Sequence, residues 1–329
     1  MKWVTLKNAA ALPADWDANA STNIFLKKAF LYHLEVTNPC HQSYNLLFDK
    51  DVLCGGYVDY INKLDIFTYS VLHLKTPVRI MGIPCSVSKQ GFVFTAGYEQ
   101  EAMRHFQSKP GAKLILNSEF PVGISVGETL PTCRLEIRWP TFSLYLQSLR
   151  SHYRYRLQKA QAKWVGVNVE MIEPQHFTEE MFSMYEKVYE KSPFKLEKLS
   201  LDFFVQLPLP AKVIIARYQK KLLGFAIVIE NKSELIFLFT GFDYSTNAHF
   251  DTYLNLLMTI LRFGIEGSFE MIDFGQTAEE TKLKLGCTLV RKYLALHHSQ
   301  PLLNKVANKL VGTLSYKALL DHYRVFKKE

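Results

Sequence analysis

Three β-type runs, at 212–218, 224–230 and 234–240, follow one another almost without pause, and they constrain the fold more than any other feature of the chain. They are rich in Ile, Val, Phe and Leu, and only Asn231, Lys232 and Ser233 separate the last two. A link that short favours an antiparallel meander. A strand at 167–172 and helices at 179–190 and 200–206 precede the meander. A helix at 250–267 follows it, with Phe250, Leu254, Leu257, Leu261 and Ile265 on one face. Next come a strand at 269–274, a short helix at 278–285 and a strand at 289–297.

The first half is more mixed. A strand at 2–6 leads to a helix at 23–36, where Phe25, Phe30, Leu31 and Leu34 form an approximately helical stripe. Short strands are expected at 44–48, 55–61, 65–69, 78–80 and 91–95, then a helix at 99–108 and strands at 113–116 and 132–138. After Pro140 the pattern reads as one long helix over 141–164, with Leu146, Leu149, Tyr153, Leu157, Ala160 and Trp164 on its buried side. Amphipathic helices at 301–311 and 315–326 close the chain. They lack an aromatic belt with dense basic flanks and are expected to pack on the protein body.

A chain of 329 residues has room for two domains of roughly 150 residues each. The expected division is 1–140, a connecting basic helix 141–164, a second domain 165–298 and closing helices 299–329. With 48% apolar and 21% charged residues, the composition excludes disordered and fibrous classes. There is no apolar run of signal-peptide or membrane-spanning length, so the expected location is the cytosol. The cysteines Cys40, Cys54, Cys85, Cys133 and Cys287 are scattered, without metal-ligand spacing, and read as reduced thiols; no metal is expected. The net charge of +8 favours an anionic partner, although Arg324, Lys327 and Lys328 place part of the excess in a basic tail.

Two local sequences carry a family resemblance. One is Leu149-Arg150-Ser151-His152-Tyr153-Arg154-Tyr155-Arg156-Leu157-Gln158-Lys159-Ala160; the other is Ile272-Asp273-Phe274-Gly275 followed by Lys282 and Gly286. With the element order, they make the chain resemble the BioF-like and Fem-like branch of the GNAT superfamily, whose members join two GNAT-like units through a basic helix. The resemblance implies an α/β (α+β) fold of two tandem GNAT-like domains, each a mixed, mostly antiparallel sheet flanked by helices. It implies an N-acyltransferase that moves an acyl group from acyl-coenzyme A to a small-molecule or peptide amine by direct attack in a cleft between the halves. The alternatives are Fem-like aminoacyl transfer from charged tRNA, and a binding protein that kept the fold and lost the chemistry. The chain departs from ordinary GNAT enzymes in its loop 240–249, which has one glycine, Gly241, where they carry a glycine-rich phosphate loop.

Within that resemblance Lys282 would stabilise the oxyanion of a tetrahedral intermediate, or else be an ordinary solvated lysine. Asp273 would orient a substrate or brace a turn. Phe239, Thr240 and Gly241 would offer backbone groups to the pantetheine chain of coenzyme A, with Asn247, Ala248 and His249 at a helix N-terminus suited to phosphate. Arg150, Arg154 and Arg156 would hold an anionic substrate by forked hydrogen bonds, or form a solvated face. Thr277 and Glu280 have the spacing of a capping box. Glu230, Glu234, Asp243 and His249 are the candidate general bases, and the loops 121–131 and 192–199 are the stretches suited to shaping an acceptor pocket.

Overall fold

The computed structural model describes residues 1–65, 75–123, 125–312, 315–317 and 323–327. Beyond Asp65 the strand expected at 65–69 lies outside these residues, as do the middle of the helix expected at 315–326, Ile124 of the loop 121–131, and Lys328. The chain forms two compact units, each discontinuous in sequence. One comprises Met1–Pro131, Pro193–Phe203 and Arg291–Ala318; the other Thr132–Ser192, Phe204–Val290 and Leu319–Glu329.

Unit 1 begins with strand β1 (Lys2–Leu6), the one-turn helix α1 (Trp16–Asn19) and helix α2 (Lys28–Thr37). Strands β2 (Ser43–Asp49), β3 (Val52–Asp65), β4 (Lys75–Met81) and β5 (Phe92–Phe94), helix α3 (Glu99–Ser108) and strand β6 (Ala112–Ser118) follow. Strands β1 to β4 are antiparallel neighbours in order. β6 runs parallel to β4 over three pairs, Arg79↔Lys113, Ile80↔Leu114 and Met81↔Ile115. Ala102, Met103 and Phe106 of α3 pack over Tyr57, Met81, Phe92 and Ile115, which excludes water from one face of the sheet. The Met, Phe and Ile side chains among them, fully buried, contribute roughly 1.5–3 kcal/mol each. Asp59, wholly buried in β3, is compensated by Arg79 at 3.1 Å and by the Asn45 amide at 3.3 Å, as a buried charge requires. Glu197, from the segment Pro193–Phe203, accepts from Asn62 and Ser86, and its burial raises the carboxyl above the usual range.

Strand β7 (Ser125–Glu136) carries the chain from the residues of one unit to those of the other. It is followed by helices α4 (Phe142–Ser148) and α5 (Ser151–Ala162), strand β8 (Val167–Ile172) and helices α6 (Glu179–Lys191) and α7 (Leu201–Val205). The meander is β9 (Ala211–Tyr218), β10 (Lys221–Asn231) and β11 (Glu234–Phe242), and it is antiparallel as expected. Helices α8 (Tyr244–Phe250) and α9 (Thr252–Glu266), strand β12 (Met271–Asp273), helix α10 (Glu279–Leu283), strand β13 (Thr288–His298) and helix α11 (Pro301–Leu310) complete the order. In unit 2, β8 pairs β9, and β12 lies parallel to β11 on one side and antiparallel to the end of β7 on the other. Leu254, Leu257, Leu261 and Ile265 of α9 supply the centre of its core. Both units thus share one wiring, in which antiparallel strands lead through a helix to a strand parallel to the last of them.

Two expected helices are corrected. The helix expected over 141–164 is broken at Leu149 and Arg150, whose backbones are extended. Leu149 forms a bridge with Phe326, and the Arg150 amide donates to the Val325 carbonyl at 2.9 Å. The apolar stripe was real, since Leu149, Leu157 and Ala160 are all buried in one core; tertiary backbone pairing interrupts the helix without moving its buried side. The described ends of the 315–326 segment are not helical. There the chain is pinned rather than free, with Val325 buried and Phe326 packed on Gly286, Trp139 and Tyr145.

Candidate functional site

The parallel pairing of β11 with β12 is three residues long and ends at Ile236↔Asp273. β11 continues to Phe242, paired with β10 alone among the described strands. The chain beyond Asp273 turns toward Cys133, with Phe274 N donating to the Cys133 carbonyl and Cys133 N to the Gly275 carbonyl. The two strands therefore part like a fork. A bulge reinforces this, because Val228 pairs Phe237 and Ile227 pairs Phe239, leaving Leu238 as an extra residue in β11 that bends and twists the strand.

Lys282 stands where the fork opens. It is 1% exposed, and its ammonium donates to the Gln276 carbonyl at 2.7 Å and the Gly275 carbonyl at 3.3 Å. It lies 5.9 Å from the centre of the Phe237 ring, the first β11 residue past the last parallel pair. Its third N–H has no acceptor among the described residues. Burial lowers its pKa, and the carboxylates of Asp273 and Glu279 are among the groups that pull it back. This is not a solvated surface lysine.

The loop that wraps it is strained. Gly275, Thr277 and Ala278 all have positive φ, of 69°, 64° and 48°; glycine takes this conformation freely, while the other two do so at a cost. The capping box expected from Thr277 and Glu280 is absent: Ala278 is the N-cap of α10 without a side-chain bond, and Glu280 pairs with Lys284 instead. Asp273, wholly buried, accepts from the Thr132 hydroxyl at 2.5 Å and from Gly275 N at 2.9 Å. Its other oxygen lies 3.6 Å from Arg134 Nε. These partners make Asp273 the brace of the loop that presents carbonyls to Lys282.

The other expected residues are distributed unevenly. The Phe239 ring packs against Tyr185 and Phe204, and the Thr240 hydroxyl donates to the Phe225 carbonyl. Gly241 is buried beneath α6, where an added Cβ would meet Tyr185 N at 2.7 Å. Asn247, Ala248 and His249 lie not at the start of α8 but in its last part, and of the three only the Asn247 side chain reaches the first turn of α9. Asn247 Oδ1 accepts from Tyr253 N, the Ala248 carbonyl accepts from Lys163, and the His249 ring meets Phe250 edge-on. The start of α8 already holds an anion, since Asp243 accepts from Ser245 N at 2.9 Å and pairs with Lys221 at 2.7 Å. Burial pushes this carboxyl up, but Lys221 and the Ser245 donors outweigh it and hold it at about 2. A phosphate would have to displace that charge.

Arg150 and Arg154 donate to the carbonyls of Phe326 and Leu149, so the backbone engages both. Arg156 donates no hydrogen bond from its buried Nη1 among the described residues, and its charge helps Lys284 lower Glu280. Of the candidate bases, Glu230 and Glu234 lie at the hairpin end of β10 and β11, where that strand is paired with β12, and Asp243 is occupied as a cap. Sequence reasoning missed Thr132, Arg134 and Tyr253. The first two act through a strand distant in sequence, and no spacing signals them. Burial raises the Tyr253 phenol in the company of Cys133 and Cys287, and those thiols are themselves pushed up by burial. Among the described residues there is no group of acidic, histidine or cysteine side chains able to hold a metal ion.

Comparison with known proteins agrees with this architecture. Residues 147–283 match the family described as an acetyltransferase (GNAT) domain. The structure of FemX superposes with a TM-score of 0.56 at 11% identity, covering 93% of this chain and all of that one. A tandem GNAT protein from the clavulanic acid biosynthesis pathway gives 0.50 at 9% identity, covering 91% and 99%. L-PGS from Bacillus licheniformis gives 0.50 at 11% identity, covering 86% and 91%. A search of curated proteins finds no match. Residues 147–283 thus match a GNAT acetyltransferase domain, and the chain shares the fold of FemX and of a tandem GNAT protein.

Proposed function

We propose that the chain is an N-acyltransferase whose reaction centre is the fork between β11 and β12. One observation carries this reading: a buried ammonium with an unused N–H lies where the strands separate. An amine attacks the carbonyl carbon of an activated ester or thioester, the carbon–nitrogen bond forms, and the carbonyl π electrons move to oxygen. The Lys282 N–H donates to that oxyanion, which in a water-poor setting is worth several kcal/mol. Collapse breaks the bond to the leaving group, which takes up the proton lost by the amine. Asp273 and Arg134 position the Gly275 loop and do not touch the reacting atoms.

Acyl-coenzyme A is the donor that the GNAT domain suggests, with Phe239, Thr240 and Gly241 beside its pantetheine arm. Asp243 counts against phosphate at the start of α8, and so against coenzyme A seated there, which keeps the aminoacyl ester of charged tRNA as a second donor. Arg156 is then the free guanidinium suited to an anionic substrate. Both readings fit a cytosolic enzyme acting on a small-molecule or peptide amine. Single-turnover assays with labelled acetyl-coenzyme A and labelled aminoacyl-tRNA, each against an amine panel, test the proposal. Transfer from either donor that drops in Lys282→Met supports it; transfer untouched by that change removes Lys282 from the chemistry.

A further inference from the structure

Helix α11 is attached to unit 1 by its polar side. Asn308 accepts from the Ser125 hydroxyl, Asn304 accepts from His298 N at 2.9 Å, and Val311, just past the helix, packs over Gly127. The apolar side, expected from the sequence to pack on the protein body, is instead left in solvent: Leu302 is 74% exposed, Leu303 45% and Val306 46%. Residues 302 and 306 are four apart and 303 and 306 three apart, so the three share one face of the helix. Lys305 and Lys309 line the edge of that face, each three residues from Leu302 or Val306, and both are exposed. α11 contains no acidic residue. An ordinary surface helix buries its apolar arc instead.

We propose that this face of α11 docks on an anionic lipid bilayer, lying in the plane of the interface. Leu302, Leu303 and Val306 would enter the boundary between headgroups and acyl chains, and the two lysines would meet lipid phosphates. Ten residues give a helix only about 15 Å long, half of a hydrocarbon core of roughly 30 Å. The helix therefore lies on the membrane rather than crossing it. The charge pattern argues against a second copy of the chain as occupant, because two-fold pairing through this face would set Lys305 and Lys309 against the same lysines of the partner with no acid on the helix to offset them. The chain's net charge of +8 adds to the attraction for a negative surface. This inference is independent of the reaction assigned to unit 2.

The test is co-sedimentation of the full chain with phosphatidylcholine vesicles, with and without the anionic lipid phosphatidylglycerol. Binding to the anionic vesicles is expected, weakening as salt rises. It should fall about 10-fold or more in Leu302→Ser/Val306→Ser and again in Lys305→Glu/Lys309→Glu. The four side chains are solvent-facing, so unchanged thermal melting of the variants will show that they fold. Equal binding by wild type and the serine variant overturns the proposal. So does a dimer, seen by sedimentation equilibrium without lipid, that the serine substitutions dissolve; that result would assign the face to a second copy.

Discussion

The Lys282 ammonium donates to the Gln276 carbonyl at 2.7 Å, six residues back along the chain. This closes a loop around a charge that is 1% exposed. Replacing Lys282 by Met should take a charged donor from the Gln276 carbonyl, while the Gly275 carbonyl keeps Cys133 N, and reduce stability by about 1–3 kcal/mol. If the proposed chemistry holds, kcat should fall about 100- to 1,000-fold, with arginine unable to restore it in so confined a site. Stopped-flow turnover and thermal melting read the two effects separately. A stability loss with kcat intact would leave the lysine a purely structural role.

Asp243 should make the protein sensitive to acid. Its folded pKa of about 2 lies below the ordinary carboxylate value, near 3.9. The unfolded chain therefore binds a proton first as pH falls. The stabilisation is complete above about pH 4 and disappears between about 4 and 2. Urea unfolding of wild type and Asp243→Asn across that window should converge at its acid end.

The same substitution tests the donor. Removing a negative charge from the start of α8 should tighten coenzyme A binding by about 2- to 5-fold if phosphate approaches there. Isothermal titration that gives identical affinities would place the phosphates elsewhere.

Gly241→Ala should destabilise unit 2 by about 1–3 kcal/mol. The new methyl would lie 2.5 Å from the Phe225 ring and 2.7 Å from Tyr185 N, forcing α6 away from β11. Gly312→Ala, with nothing within 4 Å of the added carbon, is the matched control in a denaturant series and should change stability little.

The arginines of α5 should divide by role. Arg154→Ala removes a charged donor from the Leu149 carbonyl and should cost about 1–2 kcal/mol. Arg156→Ala should spare the melting temperature and raise KM for an anionic substrate. A melting loss in Arg156→Ala as large as that of Arg154→Ala would sink the distinction.

Regular structure was widely legible in the sequence. The expected strand at 167–172 and helix at 99–108 coincide with β8 and α3, and the three-strand meander appears in order. Periodicity reports which side of an element is buried, and it did so correctly even through the broken helix. It cannot report where a backbone leaves its element to pair with a distant residue, as Leu149 does with Phe326. α8 was missed because its start is set by the Asp243 side chain rather than by an apolar stripe. Lys282 was singled out by its motif, but its burial was not visible, since its partners are carbonyls that every residue possesses. The partners of Asp273, on a strand about 140 positions away in sequence, could be found only in three dimensions.

The left-handed pair Thr277 and Ala278 holds the dipoles of Gly275 and Gln276 pointed inward at a single cation. Such a cradle is finished when the chain folds, so its field needs no rearranging when negative charge develops beside it. Relaxing either residue, for example by Thr277→Gly, would ease the backbone while letting the cation wander.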